Sequence, residues 1–404
     1  MSLKRNKTLI ILFLILLIFL LFHFSNKRTI SRDKALSDFN FLVSSIDENF
    51  PGTYHIDANK KKKLKKSYNE TVESISNKKD LDLYHFYNLI DNYLKNYSST
   101  NGPLGHLYLL RAEDLNYLKS VENFIPKFSI NNSLNQDSYN TYKYISKKDK
   151  FSKINFFTNS KNHDKNLEFQ EDDNFILISI KSFDHRLKNK DLKIMQNLIN
   201  EDNCQKSVII DLSNCIGGSD YYWIDNFIKT NMYPKNRLYS KKDKALFLDG
   251  KLVKAYLDFF EKSPDYIVKN INSSNLKINN NFKYLVEMSK SDCVLNTTYT
   301  DKLFKGEIYV FYGKNTSSSA EGFLEFLKFN KLATLCGNNS KGNNPFVQPL
   351  FLNLPNSNFI VRFQVDYRID ENNKAIWEKG INPDLYFNNI SELEKYINKK
   401  ENKF

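Results

Sequence analysis

Apolar residues run unbroken from Leu9 to Phe22, with Lys4, Arg5 and Lys7 ahead of them and Lys27 and Arg28 behind. A cationic head on an apolar run is the layout of an export signal. No small-residue cleavage motif and no lipobox cysteine follow, and the stretch from Thr8 to Phe24 is near the short end of what spans a bilayer. The pattern predicts an uncleaved signal-anchor over residues 1–30. The cations then stay inside and Ser31 onward lies outside the cell membrane, or the chain is secreted if the segment is cut.

Beyond this run, Phe39, Leu42, Val43 and Ile46 recur at helical spacing, and Leu81, Tyr84, Tyr87, Leu89 and Ile90 suggest a second amphipathic stretch. Pro51-Gly52 and Asn101-Gly102-Pro103 are breaks, so residues 31–110 read as a small helical domain. Residues 111–173 are polar with scattered aromatics and read as an irregular, β-rich insert. Then the period changes. Short apolar runs at Phe175 to Ile180, Val208 to Leu212, Ile308 to Tyr312 and Ala333 to Cys336 alternate with helical patterns from Asp191, over Tyr221 to Ile228 and over Ala320 to Phe329. Such alternation predicts βαβ units and an α/β core with a parallel-rich sheet over 174–395, leaving 396–404 as a tail.

Composition changes this picture little. The 404 residues, 41% hydrophobic, suit two or three domains with a sizeable core. The net charge of +13 is spread along the chain and densest at Lys60 to Lys63 with Lys65 and Lys66. No nucleic-acid motif accompanies it, so the run reads as a solvated helix face and nucleic acid is not expected as a partner. Cys204, Cys215, Cys293 and Cys336 have no metal-ligand spacing, so no metal is expected. Three disulfide pairings or unpaired buried thiols remain open.

Three turns carry candidate chemistry. After the strand at Val208 comes Asp211-Leu212-Ser213-Asn214-Cys215-Ile216-Gly217-Gly218. Paired glycines there either make a tight turn or free backbone N–H groups to bind an oxyanion. After the strand at Ile308 comes Thr316-Ser317-Ser318-Ser319-Ala320-Glu321. Ser318 with Glu321 is a helix capping box, and a hydroxyl at a helix N-terminus also faces the positive pole that favours an alkoxide. The third turn is Gly380-Ile381-Asn382-Pro383-Asp384.

In this order the turns resemble the tail-specific, or C-terminal-processing, serine peptidase family. Leu352-Asn353-Leu354-Pro355-Asn356-Ser357 is similar to a further family segment, and Gly105-His106 falls where the family often has a Gly-His element. The resemblance implies a ClpP- and crotonase-like α/β core behind the helical domain, no cofactor, and peptide or protein substrates at a bacterial membrane. It implies Ser318 as nucleophile, with N–H groups of Gly217 or Gly218 and of Ser319 as the oxyanion hole. The lysine that one branch uses as base is replaced by Asn343 in Ser340-Lys341-Gly342-Asn343, with Lys341 two residues earlier. The tricorn-like branch, without a PDZ domain, uses a histidine and a late glutamate, which match His106 and Glu378. Gly105 stands where that branch has serine, and Ser213 where the family has arginine. The alternatives are a non-catalytic relative that binds a peptide or apolar small molecule in the same groove, and a hydrolase of wall esters or amides.

Overall fold

The computed structural model describes residues 28–54, 56–98, 104–121, 127, 134–148, 166–229, 243–271, 281–288, 304–370, 372–376 and 379–401. The expected anchor segment, Thr8 to Phe24, lies outside them. Among the described residues no helix is long and apolar enough to cross a membrane.

The helical start is as the periodicity predicts. Strand β1 (Thr29–Ser31) leads into α1 (Arg32–Asn49), which buries Phe39, Leu42 and Ile46 on one face and stops before Pro51. Helix α2 (Ala58–Ser76) is capped by Asp57, which accepts from Lys60 N at 2.7 Å. Strand β2 (Asp80–Asp82) pairs antiparallel with β1, and its Asp82 caps α3 (Leu83–Lys95). Strand β3 (Tyr108–Leu109) follows.

The segment 111–173 corrects the expectation of a β-rich insert. Among its described residues it holds helices α4 (Ala112–Val121) and α5 (Gln136–Lys148), with β4 (Leu167–Glu171) as the one strand. Ser138, Thr141, Tyr142 and Ile145 form the buried stripe of α5. Ser138 and Thr141 are small and polar, so the stripe carries little apolar periodicity.

The next units are β5 (Phe175–Ile180), α6 (Lys188–Leu198), β6 (Ser207–Asp211) and α7 (Asp220–Trp223), which continues as a π-turn to Ile228. An unforeseen insert then brings β7 (Lys244–Leu248), α8 (Lys254–Lys262), β8 (Tyr266–Asn270) and β9 (Phe282–Met288). The chain ends with β10 (Ile308–Tyr312), α9 (Ser319–Asn330), β11 (Thr334–Gly337), β12 (Leu350–Asn353), β13 (Ile360–Phe363), β14 (Asp366–Ile369), β15 (Leu385–Tyr386) and α10 (Ile390–Glu401). Helix α10 replaces most of the expected tail, because Leu393 and Ile397, one turn apart, are buried against Phe175 and Ile209 of the sheet.

A six-stranded sheet runs β15-β11-β10-β6-β5-β4, parallel throughout except at β4. Strands buried on both faces need continuous apolar sequence, and Val208, Ile209 and Ile210 of β6 are all fully buried. The insert strands join β14 in a second, antiparallel sheet, β14-β7-β9-β8. Strand β3 pairs with β13 in a third. One apolar cluster unites α1, α3 and α5 with β7, β12 and β13, while another lies under the parallel sheet. The expected boundary between a helical domain and a core over 174–395 is therefore crossed. Residues 350–365 belong to the core of the helical region.

Candidate active site

Strands β6 and β10 are parallel neighbours, with Ile308 opposite Val208 and Phe311 opposite Asp211. Both strands therefore end at the same sheet edge, the usual place for a site in an open α/β sheet. The turns that follow are laced together. Thr316 Oγ1 donates to Leu212 O at 2.7 Å, Ser317 N to Cys215 O at 3.3 Å, and Ser317 Oγ to Ile216 O at 3.2 Å.

Ser318 stands at the N-cap of α9 with φ 58° and ψ −132°. A non-glycine residue held there costs about 1–3 kcal/mol, and such strain gathers at functional sites. Its N–H donates to the Glu321 carboxylate at 3.2 Å. Glu321 is buried and also accepts from Ser340 Oγ (2.5 Å), Gly342 N (2.6 Å) and Asn343 N (2.8 Å). One carboxylate thus fixes the seryl turn against the turn after β11. Burial raises the Glu321 pKa against the donors of Ser340, Gly342 and Asn343.

Gly217 and Gly218 have φ of 84° and 148°, which few side-chain-bearing residues adopt. A β-carbon on Gly217 would come within 2.9 Å of both Ser318 Cβ and Ser319 N. The Gly217 N–H is hydrogen-bonded to the Cys215 sulfur, whose thiol burial pushes up to about 12. Phe183 bonds the carbonyl of Gly217 and the N–H of Ser219, which leaves the Gly218 N–H without an acceptor among the described residues. The Ser319 N–H, in the first turn of α9, likewise has none among them. Ser319 Oγ instead donates to Asp220 at 2.5 Å, and Asp220 also accepts from Trp223 Nε1 at 3.0 Å. This joins the start of α9 to α7.

The third turn docks beside the second. Lys341 N donates to Thr316 O at 2.9 Å, and Ile381 N to Ser340 Oγ at 2.7 Å. The Gly380-Ile381-Asn382-Pro383-Asp384 segment therefore lies against the Ser340 turn. Asp384 fastens it to β11 by accepting from Leu335 N at 2.9 Å.

His106 is 7% exposed and follows Gly105, and both are left-handed, at φ 57° and 50°. Glycine suits position 105 for that reason, and Gly105 O accepts from Gln364 N at 2.8 Å. Among the described residues, the Asn343 side chain is the hydrogen-bonding neighbour of His106, and Lys341 and Arg362 are its nearby charges. Burial first, then those two cations, hold its pKa well below 6.5. The Nδ1 atom is buried with no partner among the described residues. Burial also lowers the pKa of Lys341, against the opposing pull of Glu321. Glu378 lies outside the described residues.

His106 thus joins Ser318 through Asn343 and Glu321, and no direct bond between His106 and Ser318 is recorded among the described residues. Residue spacing alone could not have found Glu321 as the tie between the turns or Arg362 as the neighbour of His106, because both depend on long-range strand pairing. Cys204, Cys215 and Cys336 are free, buried thiols, and Cys293 lies outside the described residues. Among the described residues no group of three His, Cys, Asp or Glu side chains could hold a metal ion.

A model of peptidase family S41 matches residues 174–387, more than half of the chain and all of the turns after β6, β10 and β11. Three solved structures are similar at low identity. A lipoprotein from Streptococcus agalactiae is 12% identical, with 91% of this chain and 96% of that one covered and a TM-score of 0.46. Mature CPAF is 11% identical, with 91% and 96% covered and a TM-score of 0.49. The photosystem II D1 C-terminal processing protease is 12% identical, with 53% and 42% covered and a TM-score of 0.30. No curated protein matches. The chain belongs to peptidase family S41 and is a serine-type peptidase, the family to which its ordered turns bear their resemblance.

Proposed function

We propose that the protein is a membrane-anchored peptidase acting outside the cell, with Ser318 as nucleophile, His106 as general base and Glu378 as the group that orients the imidazole. The observation that carries this is Ser318 itself: a strained seryl N-cap packed against Gly217, beside the unengaged N–H groups of Gly218 and Ser319.

Ser318 Oγ attacks the peptide carbonyl while His106 takes its proton. The C–O bond forms and the carbonyl oxygen becomes an oxyanion. Gly218 N–H and Ser319 N–H donate to it, aided by the positive pole of α9, and each such donor contributes about 10²–10³ in rate. The C–N bond then breaks, the imidazolium returns its proton to the leaving amine, and water hydrolyses the acyl-enzyme. Of the paired glycines, Gly218 is the preferred donor, since Gly217 N–H is engaged by sulfur. Peptide or protein substrates follow from the family.

Membrane attachment rests on the basic residues and apolar run at the N-terminus. A histidine base is supported by the burial and cationic neighbours that keep His106 neutral. A second reading makes Lys341 the base, because burial lowers its pKa too and its backbone is bonded to the seryl turn.

The test is fluorophosphonate labelling of the full-length chain in detergent. Label should enter the wild type and not Ser318→Ala. Loss in His106→Ala assigns the base to histidine, and loss in Lys341→Met alone assigns it to lysine. A folded wild type that takes no label would overturn the nucleophile and favour the non-catalytic binding role.

A further inference from the structure

Large apolar side chains left in water forgo roughly 25 cal/mol per Å² of burial, so their positions are informative when they gather at a site. Ile216 is 37% exposed and Tyr221 is 58% exposed. They bracket Gly217 and Gly218 in sequence, and Ile216 and the residue before Tyr221 are bonded to the seryl turn. Ser317 Oγ holds Ile216 O, and the next residue, Gly217, packs on Ser318. Asp220, which precedes Tyr221, accepts from Ser319 Oγ at 2.5 Å. The Tyr221 ring is also met edge-on by His185, with centroids 6.2 Å apart. Burial lowers the His185 pKa, so the imidazole adds no fixed charge near neutral pH.

We propose that Ile216 and Tyr221 form the apolar surface that selects the substrate, favouring peptides with a large apolar side chain beside the scissile bond. The inference rests on Ser318 being the reacting residue. The occupant is the peptide itself, because both residues belong to the segment that carries the oxyanion glycines. A peptide carbonyl held by Gly218 and Ser319 brings its neighbouring side chains to the residues on either side of those glycines. Leucine or phenylalanine there would cover surface that is otherwise wet, whereas alanine would leave it exposed and aspartate would be desolvated without a partner.

The experiment measures peptide binding to full-length Ser318→Ala in detergent, so that affinity is read without turnover. Peptides differ only in the residues flanking one bond: leucine or phenylalanine, against alanine or aspartate. The expected result is about 10-fold or more tighter binding of the apolar set. That preference should fall to within about 2-fold when Ile216→Ser or Tyr221→Ser is added. A flat preference in Ser318→Ala overturns the proposal, as does a preference that survives both substitutions. Thermal unfolding of the Ile216→Ser and Tyr221→Ser variants is the control. A melting temperature unchanged from the parent shows that the fold around the turn is intact. A wild type that takes no fluorophosphonate label while the apolar preference holds sinks the nucleophile and leaves the binding surface standing.

Discussion

Gly217 lies so close to Ser318 that a β-carbon on the glycine would sit 2.9 Å from Ser318 Cβ and 2.5 Å from Ser317 O. Real β-carbons do not occupy such a position, and the Ser317 contact is with backbone that cannot rotate away. Gly217→Ala must therefore push the seryl turn outward or abandon φ 84°. The expected outcome is loss of at least about 100-fold in kcat with a stability loss of about 1–3 kcal/mol. Steady-state kinetics beside thermal unfolding checks it. Full activity in Gly217→Ala would remove the argument that this contact sets the nucleophile.

The pH profile distinguishes the two candidate bases. A general base must be neutral, so activity is lost as pH falls through its pKa in the folded protein. Burial, Arg362 and Lys341 all hold His106 below 6.5, so the acid limb of kcat/KM should lie below that value. Arg362→Met keeps bulk between Tyr108 and Phe351 while removing one cation, and should move the limb upward. A limb that stays put in Arg362→Met, together with activity lost in Lys341→Met, would assign the base to Lys341.

Two buried carboxyl groups should make the fold less stable as pH rises. Burial pushes both Asp114 and Asp366 up to about 6 from 3.8, against the hydrogen bonds they accept. A carboxyl raised in the folded state binds its proton more tightly there than in the unfolded chain. Its contribution is complete below about pH 4 and is lost as pH climbs through about 6. For Asp366 that loss is on the order of 3 kcal/mol. The Asp366 carboxyl accepts from Phe346 N at 2.9 Å, and an asparagine oxygen can do the same without ionising. Asp366→Asn should therefore gain on the wild type between pH 4 and pH 7 in urea titrations. An unchanged difference across that range would show that Asp366 is ionised in the fold.

Much of the parallel sheet was legible because strands such as Val208 to Leu212 are apolar on both faces, a pattern with few other solutions. The order of the turns carried the family for the same reason: each follows a readable strand. The insert from β7 to β9 was not legible. Its strand β7 pairs with β14, with Phe247 opposite Asp366, and nothing local encodes a partner at that distance. Helix α5 was hidden by the hydroxyl residues in its buried stripe. Glu321 was read as a capping residue. Its bonds to Ser340, Gly342 and Asn343 depend on the parallel pairing of β10 with β11.

The least expected long-range tie joins α1 to the segment before β13. Asp38 is fully buried and accepts from Asn356 N at 3.0 Å, Asn356 Nδ2 at 2.8 Å, Ser357 N at 2.7 Å and Ser357 Oγ at 2.6 Å. The Asn356-Ser357 pair, read from the sequence as a family signature, thus serves as the socket for a carboxylate from the helical region. Removing the acceptor leaves several buried donors unsatisfied, which costs more than the net worth of the bonds themselves. Asp38→Ala should destabilise the fold by about 3 kcal/mol or more, while Asp38→Asn, which keeps one acceptor oxygen, should lose less. Because α1 and β13 share one apolar cluster, the loss should appear as an earlier single transition and not as separate melting of the helical region. Denaturant unfolding followed by far-ultraviolet circular dichroism and by tryptophan fluorescence distinguishes these. Trp223 reports on the parallel sheet, where it packs on Phe323 of α9. Coincident transitions shifted in Asp38→Ala fit a single cooperative unit, whereas a shift seen by dichroism alone would mean that the helical region unfolds by itself.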